Sequence, residues 1–250
     1  MIATDSILEK YPLFQEALHS RFPGTLAMED YLQQVTERLI PYGFEDANTL
    51  GMVAVCRDEI ATPFVDGVIQ HWGKTFVCRS LAGLLLVGRT GIITGASHAP
   101  YDEGRRRFVF FAMPHIAISE LGEIGAVYRE GLHEVSNACG SVAAVLKELE
   151  SGRIDLRIDF DDLEQCCVRQ KILSALRYGD RPDLIAATHL VSEVIREDGE
   201  RMLCSLDPGQ YDYAFLSGIL VHGPEDSDWV HPHSCLLVGN GIPGGRLMLE

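Results

Sequence analysis

The chain has 250 residues, 46% of them hydrophobic, and a formal net charge of −15 at neutral pH. That length suits one large domain with an ample core, and the acidic balance speaks against nucleic acid and anionic membranes as partners. The longest apolar run, near Leu81 to Val87, is far too short to cross a bilayer.

The start, Met1-Ile2-Ala3-Thr4-Asp5, lacks the charged and apolar blocks of a signal peptide. A cytoplasmic chain is expected, or an organellar one from which a targeting segment was removed. Seven cysteines, at 56, 78, 139, 166, 167, 204 and 235, are odd in number and irregularly spaced, with no CxxC pair. Free thiols or metal ligands are expected rather than a disulfide framework.

Residues 1–46 read as amphipathic helices forming a cover, and residues 47–250 as an α/β domain. Ile7, Leu8, Tyr11, Phe14 and Leu18 recur at helical spacing, with Pro12 marking a helix start. A second helix spans Met28 to Leu39 and stops at Pro41-Tyr42-Gly43. The run from Thr49 to Val55 is a buried strand that ends abruptly at Cys56-Arg57-Asp58-Glu59. On an extended chain Cys56 and Asp58 point the same way, so a thiolate and a carboxylate could share one crevice. A buried structural cysteine followed by a solvated turn satisfies the same stretch.

Thr62-Pro63 opens a helix carrying Phe64, Val68, Ile69 and Trp72. Residues 80 to 98 are rich in glycine and read as a loop near a site, matching no nucleotide-binding spacing. His98 is a loop histidine or a proton carrier. Residues 107 to 118 form a second apolar strand, ending in His115. Ser136 or Asn137 caps the next helix, placing Cys139 in its first turn, where unpaired N–H groups favour thiolate.

A helix-rich stretch runs from Asp161 to Met202, with Cys166 and Cys167 as helix-face residues. Tyr211 to Val221 and Cys235 to Val238 are strands. Between them, in what reads as a solvated loop, His222 and His231-Pro232-His233 form a rival metal cluster. His19, His71, His133 and His189 carry no signal beyond a surface or helix-face role.

Cys56, His115 and Cys139 together would make a Cys2His set, which suits zinc and leaves a fourth position for water. The segments Val55-Cys56-Arg57-Asp58-Glu59, Gly88-Arg89-Thr90-Gly91, His98-Ala99-Pro100, Met113-Pro114-His115-Ile116-Ala117, Gly122-Glu123-Ile124-Gly125 and Ala138-Cys139-Gly140 carry a resemblance. The chain resembles the limiting-CO2-inducible B/C family, a divergent group of β-carbonic anhydrases. It departs from ordinary β-carbonic anhydrases, which have Cys-x-Asp-x-Arg and His-x-x-Cys; here Ile60 stands in place of the arginine, and His115 and Cys139 are far apart.

The resemblance implies a central mixed β-sheet flanked by helices and Zn2+ on Cys56, His115 and Cys139. It further implies a homodimer and reversible hydration of CO2 to bicarbonate by metal-activated hydroxide. Asp58 matches the family's zinc-adjacent carboxylate; Arg57 is its expected partner, with Arg79 and Arg89 as alternatives. Two other readings stand: a non-catalytic zinc-stabilised scaffold of a carbon-concentrating system, with Asp58 closing the metal site, and a metal-free thiol enzyme.

Overall fold

The chain alternates long apolar strands with amphipathic helices, and it folds as that alternation demands. The computed structural model describes residues 4–102, 104–129, 131, 134–242 and 245–249; His133 lies outside them. Helices α1 (Thr4–Lys10) and α2 (Pro12–Arg21) meet at Tyr11, with Pro12 in the first turn of α2. A two-residue strand, β1 (Leu26–Ala27), leads into α3 (Met28–Leu39), which ends in a single 3-10 turn and the left-handed Gly43.

Next come β2 (Thr49–Cys56), α4 (Thr62–Trp72), β3 (Thr75–Ser80) and α5 (Gly88–Ser97). The short β4 (Tyr101–Asp102) precedes β5 (Arg105–Ala112) and β6 (His115–Ala117). A small ribbon of β7 (Ala126–Val127) and β8 (Ser136–Asn137) leads to α6 (Gly140–Ser151), α7 (Leu163–Ala175) and α8 (Leu184–Leu203). Strands β9 (Tyr211–His222), β10 (Asp228–Val238) and β11 (Arg246–Leu249) close the chain.

Nine of these strands form one mixed sheet in the order β1-β10-β9-β5-β2-β3, with β11 on β10, β4 on β5 and β6 on β9. Strands β3, β2, β5 and β9 run parallel, while β10 runs antiparallel to β9. All eight residues of β2 are buried, as a strand with helices on both faces requires. Alternation sorts its side chains: Met52, Ala54 and Cys56 join Phe108, Phe110 and Phe215 beneath α5, α6, α7 and α8. Val53 and Val55 join Val109 and Phe111 beneath α3 and α4. A third cluster packs Phe14, Leu18 and Phe22 of the first helices and their exit turn against Ile219, Val221 and Trp229. Among the described residues no helix is long and apolar enough to cross a membrane.

Three local expectations are corrected. The glycine-rich stretch at 88–97 is a helix, α5, not a loop. Its small residues serve close packing: a β-carbon on Gly95 would stand 2.6 Å from the Met52 methyl group. The expected strand over 107–118 is two strands, because Pro114 has no N–H to give a ladder. Its carbonyl instead accepts from the Leu220 amide at 3.0 Å, and β6 continues along β9 from there. His231-Pro232-His233 lies within β10 and not in a solvated loop, with the register slipping between Pro232 and Ser234.

Gly83 sits where the turn after β3 crosses the end of β2. Its φ is +73°, and a β-carbon there would stand 2.6 Å from the Met113 carbonyl oxygen and 3.5 Å from the Cys56 amide. Gly83→Ala combines left-handed strain with a backbone clash and is expected to destabilise by on the order of 2–4 kcal/mol in urea unfolding. An unchanged midpoint would show that this turn is free to move away from β2.

Candidate metal centre

Three elements end at one point. Cys56 is the last residue of β2, and the parity that buries Met52 and Ala54 turns its sulfur toward α6 and α7. His115 opens β6 after the Pro114 break. Cys139 is itself the N-cap of α6, where Ser136 or Asn137 was expected. Backbone bonds lock the last two together: Ala117 N–H donates to the Ala138 carbonyl at 3.3 Å, Gly125 N–H to Ala117 at 2.7 Å, and Ala138 N–H to Gly125 at 2.9 Å.

The donor atoms of Cys56, His115 and Cys139 all lie within 4.8 Å of one another. The three residues are buried, at 3%, 0% and 1% exposure. The two sulfurs are 3.9 Å apart, close to the roughly 3.8 Å that two thiolates take on one tetrahedral zinc with Zn–S bonds of about 2.3 Å. Both ring nitrogens of His115 are buried without a hydrogen-bond partner among the described residues. Buried polar groups are normally paired, so this imidazole is built for a partner the chain does not supply. The two thiols are coupled: the neighbouring Cys139 pulls the Cys56 thiol down to about 4 against burial, with His115 adding to the pull. Cys139 is correspondingly pushed up by Cys56 and by burial. A divalent cation would favour thiolate at both sulfurs. The donor set fits zinc.

Asp58 follows β2 and caps the turn at Glu59–Ala61. Its carboxylate is held by Arg129, whose terminal nitrogen donates to the two oxygens at 2.7 and 2.8 Å. The Arg129 Nε donates to Glu59 at 2.6 Å, and its remaining nitrogen to the Ser136 hydroxyl. Burial pushes the Asp58 carboxyl up, but Arg129 and then His115 outweigh it, leaving the group below its ordinary range.

Arg57 is not the partner. One residue along the chain reverses its direction, and its guanidinium pairs with Glu164 of α7 at 2.6 and 2.9 Å. Arg79 donates to the Thr62 hydroxyl at 3.0 Å, and Arg89 is exposed on α5. Arg129 lies in a polar stretch 71 residues from Asp58, with no periodic signal in the sequence to mark it.

His98 is also remote from the cluster. It packs on Phe76, which pairs with Met52, four residues up β2 from Cys56 and so about 13 Å away. His222, in contrast, stands close by. Its ring meets the His115 ring at 5.2 Å, Nδ1 lies 2.6 Å from Asp228, and Nε2 is buried without a partner among the described residues. A cleft of about 860 Å³ opens beside it, lined in part by Ile60, Ala117, Tyr128, Arg129 and His222. The rival cluster is thereby divided, since His231 and His233 meet His189 of α8 instead. Cys166 and Cys167 take no part in either group.

A family model described as limiting CO2-inducible proteins B/C, beta carbonic anhydrases, matches residues 25–239. Among solved structures, the limiting CO2-inducible protein LCIB is 28% identical over 93% of this chain and 97% of its own, with a TM-score of 0.77. PtLCIB4, a homolog of LCIB, shares the fold at 23% identity and a TM-score of 0.79, over 94% of this chain and 98% of its own. No curated protein matches in sequence.

The Asp58–Arg129 pair carries a pH signature. A carboxyl held below its ordinary range stabilises the fold above its unfolded pKa of about 3.9, and that contribution is lost as the pH falls through the lower, folded value. Arg129→Ala removes the largest influence opposing burial and leaves only the weaker ones of His115 and Glu59, so acid unfolding followed by circular dichroism should begin at a higher pH than in the wild type. Coincident transitions would mean that the pair contributes nothing to stability.

Proposed function

Because the chain belongs to the limiting CO2-inducible B/C family of β-carbonic anhydrases, we propose that it is a zinc-dependent enzyme interconverting CO2 and bicarbonate. The observation that carries this reading is the convergence of Cys56, His115 and Cys139 from three separate elements into one buried donor set, whose imidazole has no hydrogen-bond partner among the described residues. These three residues hold the ion. Zinc, when bound, supplies Lewis acidity that makes water nucleophilic at neutral pH.

The remaining roles fall to the chain's own groups. Asp58 stays ionised beside Arg129 and orients the attacking water by accepting its hydrogen bond. Arg129 fixes that carboxylate in position, and its side chain is 20% exposed, on the side of the cleft. The Nδ1 of His222 faces Asp228; donating its proton there leaves Nε2 as a lone pair behind His115. Ile60 and Ala117 give that cleft an apolar wall suited to a small apolar gas.

The closed-site scaffold finds less support. Asp58 is engaged by Arg129 and lies outside the three-donor group, which favours a fourth position open to water. A homodimer belongs to the same proposal, since Leu121 and Tyr128 are 57% and 60% exposed in and beside the cleft-lining segment. Light scattering should give a mass near twice that of one chain; a monomer at micromolar concentration would remove that part.

Stopped-flow CO2 hydration on protein of known zinc content tests the activity. Rapid hydration is expected in the wild type, background rates in Cys56→Ser together with loss of zinc, and a fall of about 10- to 100-fold in Arg129→Gln with zinc retained. Arg57→Gln should stay within about threefold of wild type, as expected for an exposed pair worth little. Zinc-loaded protein without hydration would leave only the scaffold. Activity that survives zinc removal and is lost to thiol alkylation would point to a thiol enzyme.

A further inference from the structure

We propose that His189, His231 and His233 form a second metal site, for zinc or another borderline divalent ion held by imidazole nitrogen alone. It lies apart from the Cys2His centre, and the proposal does not depend on the activity argued above. One nitrogen from each ring lies within 4.8 Å of the others. His189 comes from α8, while His231 and His233 come from β10 on either side of Pro232, at the register slip. Ring contacts confirm the convergence: His231 meets His233 edge-on at 4.9 Å, and His189 meets both at 5.5 to 5.6 Å.

Two hydrogen bonds set the tautomers. The Ser192 hydroxyl donates to the Gly218 carbonyl at 3.0 Å. Its one proton is thereby used, so it accepts from His233 Nδ1–H at 2.9 Å, leaving His233 Nε2 as a lone pair. His231 donates to the Pro23 backbone, and its Nδ1 is buried without a partner among the described residues. Metal-binding histidines are ordinarily oriented in this way, by a hydrogen bond from the opposite nitrogen. Phe22 walls one side, stacked on His189 at 5.6 Å and edge-on to His231 at 5.7 Å. Glu193 acts on both His189 and His233 and Asp183 acts on His189, while Arg196, paired with Glu193 at 2.8 Å, opposes Glu193 at His233, so the acidic charge near the rings is partly offset. Imidazole-only sets suit zinc, copper and nickel.

The alternative is a cluster of neutral rings stacked on Phe22 that binds nothing. The full chain, freed of any histidine tag and equilibrated with zinc, distinguishes the two by metal content per chain. Two ions are expected in the wild type, one in Cys56→Ser, one in His189→Gln and none in the double variant. Ser192→Ala should weaken zinc binding at this site by about 10- to 100-fold while leaving the Cys2His ion in place. Cobalt should bind Cys56→Ser without the sulfur-to-cobalt absorption that it shows at the thiolate centre. His233→Gln serves as a second probe should His189→Gln fold poorly by circular dichroism. A Cys56→Ser chain that takes up no zinc would overturn the second site, as would a wild-type metal content unchanged in both histidine variants. Neither result would touch the hydration proposal, which fails only on the Cys2His ion and its activity.

Discussion

An imidazole buried without a partner among the described residues, beside two buried sulfurs 3.9 Å apart, is a cost the fold accepts at a single point, and much of the architecture serves to hold the three there. Burying unpaired polar groups is normally worth avoiding. Here β2 ends on one donor, β6 begins on another, and α6 is capped by the third. The turn through Gly83 closes over the end of β2 because it has no side chain to obstruct it. The β6–α6 junction is locked by backbone bonds among Ala117, Gly125 and Ala138. A cation removes the cost, so metal binding and the stability of this corner are the same physical event.

Around that point the chain keeps charge in graded shells. Cys56, His115 and Cys139 are buried at the centre. The Asp58–Arg129 pair is mostly removed from solvent, with Arg129 lining the cleft. Arg57 and Glu164 pair outside it and fasten the end of β2 to α7, with Glu164 also accepting from the Leu81 amide. Neighbouring residues therefore do different work: Asp58 pairs with Arg129, and Arg57 ties down the scaffold.

What was legible in the sequence follows from where the information is local. The Thr49–Val55 run and its abrupt polar end announce a strand-end site, because full burial demands an unbroken apolar stretch. Cys139 before a small-residue helix and His115 after Pro114 are legible for the same reason. Arg129 was not, because its partnership with Asp58 joins a short ribbon to a strand end by tertiary folding alone. His189 was not, because a helix-face histidine acquires meaning only when α8 packs beside β10. The helix at 88–97 was misread as a loop, since its glycines lower local helix propensity while permitting the contact with Met52 that holds it in place.

The separation of the three donors along the chain also orders events in time. Cys56 and Cys139 are 83 residues apart, and His115 reaches them only after β6 has docked on β9, whose residues follow at 211–222. A growing chain therefore exposes its thiols long before the strand that aligns them has been synthesised. An ion meeting the unfolded chain finds isolated ligands; one meeting the assembled sheet finds all three. On the zinc-dependent reading proposed above, loading would be the closing step of maturation, and the supply of metal would set how much finished protein becomes competent rather than how fast it folds.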